Sequence, residues 1–181
     1  MCIDFRELNQ LIIPESQPFP LINDIITRTR GCSWFSALDI NSAFWSIPIR
    51  AKDRPKTGFI TQHGKYEWCC LPFGLKNGAA TFQRIISGII RRHNLASFCV
   101  SYLDDIFIFS KSFVEHMAHL KALMKAIRKE GFRLKFVKCK FATNSIQYLG
   151  HILGPDSVEP LQDNLVAIND FPVPRSCKNI R

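Results

Sequence analysis

An α+β fold is predicted, on three observations. Segments with helical spacing and segments rich in β-branched and aromatic residues follow one another without strict alternation. Hydrophobic residues make up 46% of the 181 residues, with Phe used 15 times, enough to bury a sizeable core in one or two compact units. The stretch from Ser97 to Ser110 reads as one hairpin with two apolar arms. This apolar content excludes a disordered tail. Ordinary Gly and Pro counts (9 and 10) exclude collagen-like and low-complexity chains. No apolar run approaches the ~20 residues of a membrane span, so no membrane partner is expected. Charges within Met1 to Arg6 argue against a secretion signal.

Element by element, Met1 to Asn9 is short and mixed, and Pro14, Pro18 and Pro20 punctuate a loop. Leu21, Ile22, Ile25 and Ile26 recur at helical spacing, and Gly31 closes that helix. Trp34 to Ile40 predicts a buried strand ending at Asp39, and Phe44 to Ile49 a turn or short helix. Phe59 to Thr61 and Tyr66 to Cys70 predict a hairpin around Gln62 to Lys65. A loop at Leu71 to Leu75 leads into a helix from about Ala79 to Arg92. After the Ser97 to Ser110 hairpin, Ser112-x-x-Glu115 has capping-box spacing. Val114, Met117, Leu120, Leu123, Met124 and Ile127 form an apolar stripe, and Gly131 ends the helix. Leu134 to Phe141 and Ile146 to Leu153 read as strands, and Leu161 to Asp170 as a short helix.

The formal charge is +9, from 24 Lys and Arg against 15 Asp and Glu. Eight cations lie between Lys121 and Lys140, with Glu130 the one acid among them. Such a stretch suits a polyanion such as nucleic acid, and equally a solvated helix face. Seven cysteines, none in a Cys-x-x-Cys pair, fit reduced thiols rather than a disulfide framework or zinc finger. Cys139 reads as a packed thiol, and His116 and His119, one turn apart, as surface residues.

The chemistry rests on carboxylates. Asp104 and Asp105 lie between Val100 to Leu103 and Ile106 to Phe109. Two adjacent like charges in so apolar a hairpin repel, and desolvation sharpens the repulsion. A divalent cation with oxygen preference, Mg²⁺ or Mn²⁺, would relieve it. Asp39, ending a buried strand, could complete a set of three carboxylates for two metals, the arrangement that drives in-line phosphoryl displacement. A surface turn at Asp104-Asp105 and a turn or cap at Asp39 are the plain alternatives.

These residues match a family in its own order. The chain resembles the polymerase domain of reverse transcriptases, in the gypsy-type long-terminal-repeat retrotransposon branch. Six blocks carry the likeness: Cys2 to Asn9, Phe35 to Phe44, Leu71 to Asn77 with Ala80 to Arg84, Tyr102-Leu103-Asp104-Asp105, Lys138 to Phe141, and Tyr148 to His151. The resemblance implies a palm with partial fingers over residues 1–154: an antiparallel sheet backed by helices, with a catalytic β-hairpin. Residues 155–181 would be a truncated linker carrying only the start of a thumb, and the fingertips would be missing.

It further implies an RNA-directed DNA polymerase that adds deoxynucleotides to a primer 3′-hydroxyl with two Mg²⁺ or Mn²⁺ ions. Asp39, Asp104, Asp105 and the Ile40 main chain would hold the ions. Asn41, Ser42, Ala43, Phe44, Phe73 and Gly74 would face the incoming nucleotide, with the Phe44 ring excluding a 2′-hydroxyl. Read alone, Phe44 would be a core residue. Asp4, Arg6, Tyr102, Leu103, Tyr148, Leu149 and Gly150 would contact template and primer. Lys138 would protonate the pyrophosphate leaving group, with Lys140 its competitor. Partners would be an RNA or DNA template with a DNA primer, deoxynucleoside triphosphates, and the rest of a Pol polyprotein. The setting would be intracellular, in a cytoplasmic virus-like particle or the nucleus. Lys76 and Gly78-Ala79 depart from the family pattern. Two other readings compete: a catalytically inactive remnant that binds nucleic acid, and a metal-dependent nuclease or phosphatase.

Overall fold

A computed structural model describes residues 3–155 and 157–161. In chain order the elements are α1 (Arg6–Leu11), α2 (Ile22–Thr29), β1 (Trp34–Asp39), β2 (Phe59–Thr61), β3 (Gly64–Tyr66), α3 (Gly78–Arg92), β4 (Cys99–Tyr102), β5 (Asp105–Ser110), α4 (Phe113–Lys129), β6 (Lys140–Thr143), β7 (Ile146–Tyr148), β8 (His151–Leu153) and β9 (Val158–Pro160). Short 3₁₀ turns lie at Phe44–Ser46, Ala51–Thr57 and Phe136–Lys138. Helices and antiparallel sheets mix without alternation, as α+β requires. Among the described residues, no helix is long and apolar enough to cross a membrane.

The centre is a four-stranded antiparallel sheet in the order β4-β5-β1-β6. Its apolar strands are explained by cover on both faces. Side chains alternate along a strand, so Ile106 and Ile108 of β5 pack with Phe82, Ile86 and Ile89 of α3 and Leu120, Leu123 and Ile127 of α4. Phe107 and Phe109 face the other way, packing with Phe35, with Ile25 of α2, and with Ile146, Tyr148 and Leu153 of the small β7-β8-β9 sheet. Burying each such side chain contributes about 1.5–3 kcal/mol. Both sheets are therefore fixed against the same hairpin, which holds the Asp104-Asp105 end in place.

Several elements differ from expectation. Residues 6–11 form α1, where a mixed stretch was expected. The first hairpin turns earlier, with β3 starting at Gly64 and residues 67–70 outside it. The expected strand from Leu134 to Phe141 is a 3₁₀ turn followed by β6. The expected strand from Ile146 to Leu153 folds back as β7 and β8 around Leu149 and Gly150, both at positive φ (46° and 81°). The expected helix from Leu161 to Asp170 lies outside the described residues, apart from Leu161.

In α4 the capping box forms: the Ser112 hydroxyl accepts from the Glu115 amide at 3.3 Å, and the Glu115 carboxylate accepts from the Lys111 amide at 3.1 Å. The buried stripe, however, runs through His116, Leu120, Leu123 and Ile127. Val114, Met117 and Met124 lie on the neighbouring, solvent-facing rows and are exposed. His116 is therefore a core residue, not a surface one. Its ring bridges the hydroxyls of Ser36 (2.7 Å, from Nε2) and Ser110 (2.8 Å, from Nδ1). His119 also turns inward, hydrogen-bonding Ser110 at 2.8 Å and stacking flat on Phe98.

Candidate active site

The β1–β5 register ends on Asp39 opposite Asp105, so the two acids predicted to cooperate are cross-strand neighbours. Directly opposed side chains lie within a few ångströms on one face of the sheet. The Ile40 amide donates to the Asp104 carbonyl at 3.1 Å, latching the hairpin turn to β1. Asp39, largely buried, accepts from the Lys138 ammonium at 3.1 Å on Oδ2. Its amide donates to the Cys139 sulfur at 3.4 Å and its carbonyl accepts from the Lys135 amide at 2.9 Å. Cys139 is thus a packed thiol, as expected.

The electrostatics follow from this crowding. Burial raises the Asp104 carboxyl above the ordinary carboxylate value, Asp39 raises it further, and Lys138 opposes. Burial likewise raises Asp105, followed by Asp39 and Asp104. The hydrogen bond to Asp39 raises Lys138. Asp104 Oδ1 is buried with no hydrogen-bond partner. Among the described residues, no three His, Cys, Asp or Glu side chains are drawn together as a ready cage for a metal ion, and Asp39 is engaged by Lys138. The donor set still fits a hard divalent cation: an orphaned carboxylate oxygen, crowded acids and a cross-strand third carboxylate are what such an ion satisfies.

The Leu103-Asp104 turn that leads into Asp105 is strained and held from α3. Leu103 sits at φ 52°, a left-handed conformation that costs a branched residue about 1–2 kcal/mol. Gln83, fully buried on α3, offsets it: its Oε1 accepts from the Leu103 amide at 2.8 Å and its Nε2 donates to the Ser101 carbonyl at 2.9 Å. Gln83 enters the sequence analysis only as part of the Ala80 to Arg84 block, with no role of its own, because its partners are main-chain atoms.

Beyond β1, Asn41, Ser42 and Ala43 lead into Phe44, with Ser42 at φ 52° and Ala43 buried. The Phe44 ring stands between Phe73 and Phe82, at centroid distances of 5.2 and 5.6 Å. The structure thus brings Phe44 and Phe73 together, and Phe73 is 60% exposed. The Leu71 to Asn77 loop is tied to the first segment: Asn9 donates to the Gly74 carbonyl and accepts from the Lys76 amide, both at 2.8 Å. Gly74 is at φ 91°, a conformation that glycine adopts without cost.

Beside Asp105, a cavity of about 220 Å³ is lined by Asp105, Lys138, Lys140, Tyr148, Leu149 and Gly150. The expected primer-side turn and both candidate proton donors therefore share one hollow with a carboxylate. Tyr148 stacks on Phe107 at 4.5 Å, and Tyr102 meets Phe19 at 5.7 Å. Asp4 and Arg6 pair with each other at 2.6 Å and line a separate cleft with Glu7 and Gln10. A larger cavity, about 580 Å³, lies against Leu8, Ile47, Arg50, Lys56 and Arg84 and contains none of the three carboxylates.

An acidic hairpin end, half-buried at Asp104 and exposed at Asp105, lies beside an acid-ended strand and is backed by two helices. The reverse transcriptase (RNA-dependent DNA polymerase) family model matches residues 1–153, and the chain belongs to that family. It is 35% identical over its whole length to the retrovirus-related Pol polyprotein from transposon opus, and 34% identical to that from transposon gypsy, both of Drosophila melanogaster. It spans 18% and 17% of those polyproteins. Its fold resembles the foamy viral protease-reverse transcriptase in complex with RNA/DNA hybrid (TM-score 0.81, 21% identity, covering 98% of this chain and 24% of that one). The same viral protein in complex with dsDNA matches at TM-score 0.85 and 21% identity, covering 99% of this chain and 37% of that one. The antiparallel palm-like sheet is thus shared with solved reverse transcriptases. The family as a whole depends on divalent metal.

Proposed function

We propose that the chain carries the nucleotidyl-transfer centre of an RNA-directed DNA polymerase, which extends a DNA primer on an RNA or DNA template with deoxynucleoside triphosphates. The observation that carries the reading is the register that sets Asp39 against Asp105, one residue from the orphaned Asp104 oxygen. Asp39, Asp104, Asp105 and the Ile40 carbonyl would hold two Mg²⁺ or Mn²⁺ ions. Such ions, when bound, activate the attacking hydroxyl and neutralise charge on the leaving oxygen.

The chain's own residues supply the rest. The Asn41 to Ala43 main chain lies along the triphosphate. Phe44, packed against Phe73 and Phe82, leaves no room for a 2′-hydroxyl, while Phe73 and Gly74 border the base and sugar. Tyr102, Leu103 and the Tyr148 to Gly150 turn position the primer end, and Asp4 and Arg6 the template. Lys138 holds a proton on Nζ beside the acids and is the donor to departing pyrophosphate, with Lys140 in the same cavity as its competitor. The positive balance binds the duplex through phosphates, so affinity falls as salt rises. The reading carries an intracellular setting and a larger Pol polyprotein with it.

Primer extension on an RNA template with Mg²⁺ or Mn²⁺ is the test. Incorporation that disappears in Asp105→Asn supports the reading. Absence of metal-dependent incorporation by the wild-type chain, alone and within its polyprotein, overturns it.

A further inference from the structure

Two cations after α4 are unused by the mechanism above. Leu134 forms an isolated antiparallel bridge with Ile40. It is flanked by hydrogen bonds from the Asn41 amide to the Arg133 carbonyl (2.8 Å) and from the Lys135 amide to the Asp39 carbonyl (2.9 Å). That pattern makes Asn41 and Arg133, and Asp39 and Lys135, the neighbouring cross-strand pairs. Ile40 and Leu134 turn together into the core under α3 and α4. Successive side chains alternate between faces, so Arg133 and Lys135 share the opposite face with Asp39 and Asn41. Both are exposed, and neither has an acidic partner among the described residues, whereas Lys138 is engaged by Asp39.

We propose that Arg133 and Lys135 form a polyphosphate site, receiving the β- and γ-phosphates of the incoming nucleoside triphosphate and then the pyrophosphate product. The inference rests on the polymerase reading for its substrate, and on the bridge for its geometry. A polyphosphate approaching three carboxylates meets repulsion, and cations on the same face offset it. The guanidinium of Arg133 offers a planar fork that binds phosphate oxygens in pairs, and Lys135 adds a compact charge. Because their backbones are bonded to Asp39 and Asn41, the stems of the two cations are anchored beside the acid-ended strand, and a bound polyphosphate would order their exposed charged ends.

The test uses Arg133→Gln, Lys135→Gln and the double variant in primer extension, with template–primer affinity measured in parallel. Stabilisation of the folded chain by inorganic tripolyphosphate, read as a melting shift, is the second readout. The double variant should raise the nucleotide KM on the order of tenfold or more, mostly sparing kcat and template–primer affinity. It should also lose the tripolyphosphate shift. Arg133→Lys should recover part of the KM. Lys121→Gln, the same one-unit charge change as each single variant but on the exposed face of α4, should alter neither. An unchanged KM, or a loss confined to template–primer affinity, overturns the proposal, the second result assigning the cations to the duplex. Should the wild type fail to incorporate nucleotide, the polymerase reading falls separately. A tripolyphosphate shift that depends on Arg133 and Lys135 would then still support the anion site, and an indifferent one would overturn it.

Discussion

The two ends of the central sheet treat buried polar groups in opposite ways. At one end, Ser36 of β1, Ser110 of β5 and His116 and His119 of α4 form a connected network. The Ser36 oxygen also accepts the Ala142 amide at 2.9 Å. One proton arrangement serves every donor between them: Ser36 donates to His116 Nε2, His116 Nδ1–H donates to Ser110, and Ser110 donates to His119 Nδ1. At the other end, Asp39 and Asp105 face each other across the strands, a buried Asp104 oxygen has no partner, and the turn is strained at Leu103. A fully satisfied network is what a fold requires of its buried polar groups. The end left wanting a partner is where a ligand completes the structure.

The sharpest way to break this contrast is Asp104→Asn. It should lower nucleotide incorporation by at least about 10³-fold in primer extension. The same change should raise stability in metal-free buffer by about 1 kcal/mol in denaturant titration, the common consequence of removing a destabilising active-site charge. His116→Ala at the satisfied end should do the reverse: a stability loss of about 3 kcal/mol, since it opens a cavity and orphans two buried hydroxyls. Activity per folded molecule should largely survive. Gln83→Ala sharpens the comparison, because a satisfied group there serves the unsatisfied end. It should cost about 2 kcal/mol by unpairing the Leu103 amide and Ser101 carbonyl, and should lower kcat, unlike His116→Ala.

The smallest expected effect is on pH dependence, and its sign differs between the ends. Burial lowers His116 and His119 below the ordinary histidine value of 6.5. Unfolded histidines therefore take up protons first on acidification, and this end loses stability as pH falls below about 6.5. Asp104 and Asp105 are raised above the ordinary carboxylate value of 3.8. The folded state holds those protons longer, so this end is destabilised as pH rises from about 3.8 through the raised values. Melting curves of wild type, His116→Ala and Asp104→Asn across this range should separate the two slopes.

The acidic end was more legible in the amino-acid sequence than the satisfied one. Asp39, Asp104 and Asp105 stand out because charge interrupts apolar runs, while the pairing of Asp39 with Asp105, which the letters leave open against a plain turn or cap, is set by the β1–β5 register. The β4–β5 hairpin was legible because both arms are apolar, and the start of α4 because Ser112 and Glu115 carry capping-box spacing. His116 was misplaced because an ionisable side chain counts as polar in a helical pattern, while its burial depends on Ser36, 80 residues away. The same mistake rotated the α4 stripe onto Val114, Met117 and Met124. Residues 134–141 read as a strand from their Leu, Phe and Val, yet only a 3₁₀ turn carries Lys138 and Cys139 around to Asp39. Gln83 and the Ile40–Leu134 bridge act through the main chain, which the letters do not encode.

The most direct measurement is the melting temperature at neutral pH during titration with Mn²⁺, for wild type and Asp104→Asn side by side. A cation that binds the folded state in place of the missing partner raises its melting temperature by mass action. The wild type should start lower and rise with Mn²⁺, while Asp104→Asn should start higher and respond much less. Equal shifts in the two proteins, or no shift in the wild type, would contradict an acidic cluster built to be completed by a divalent ion.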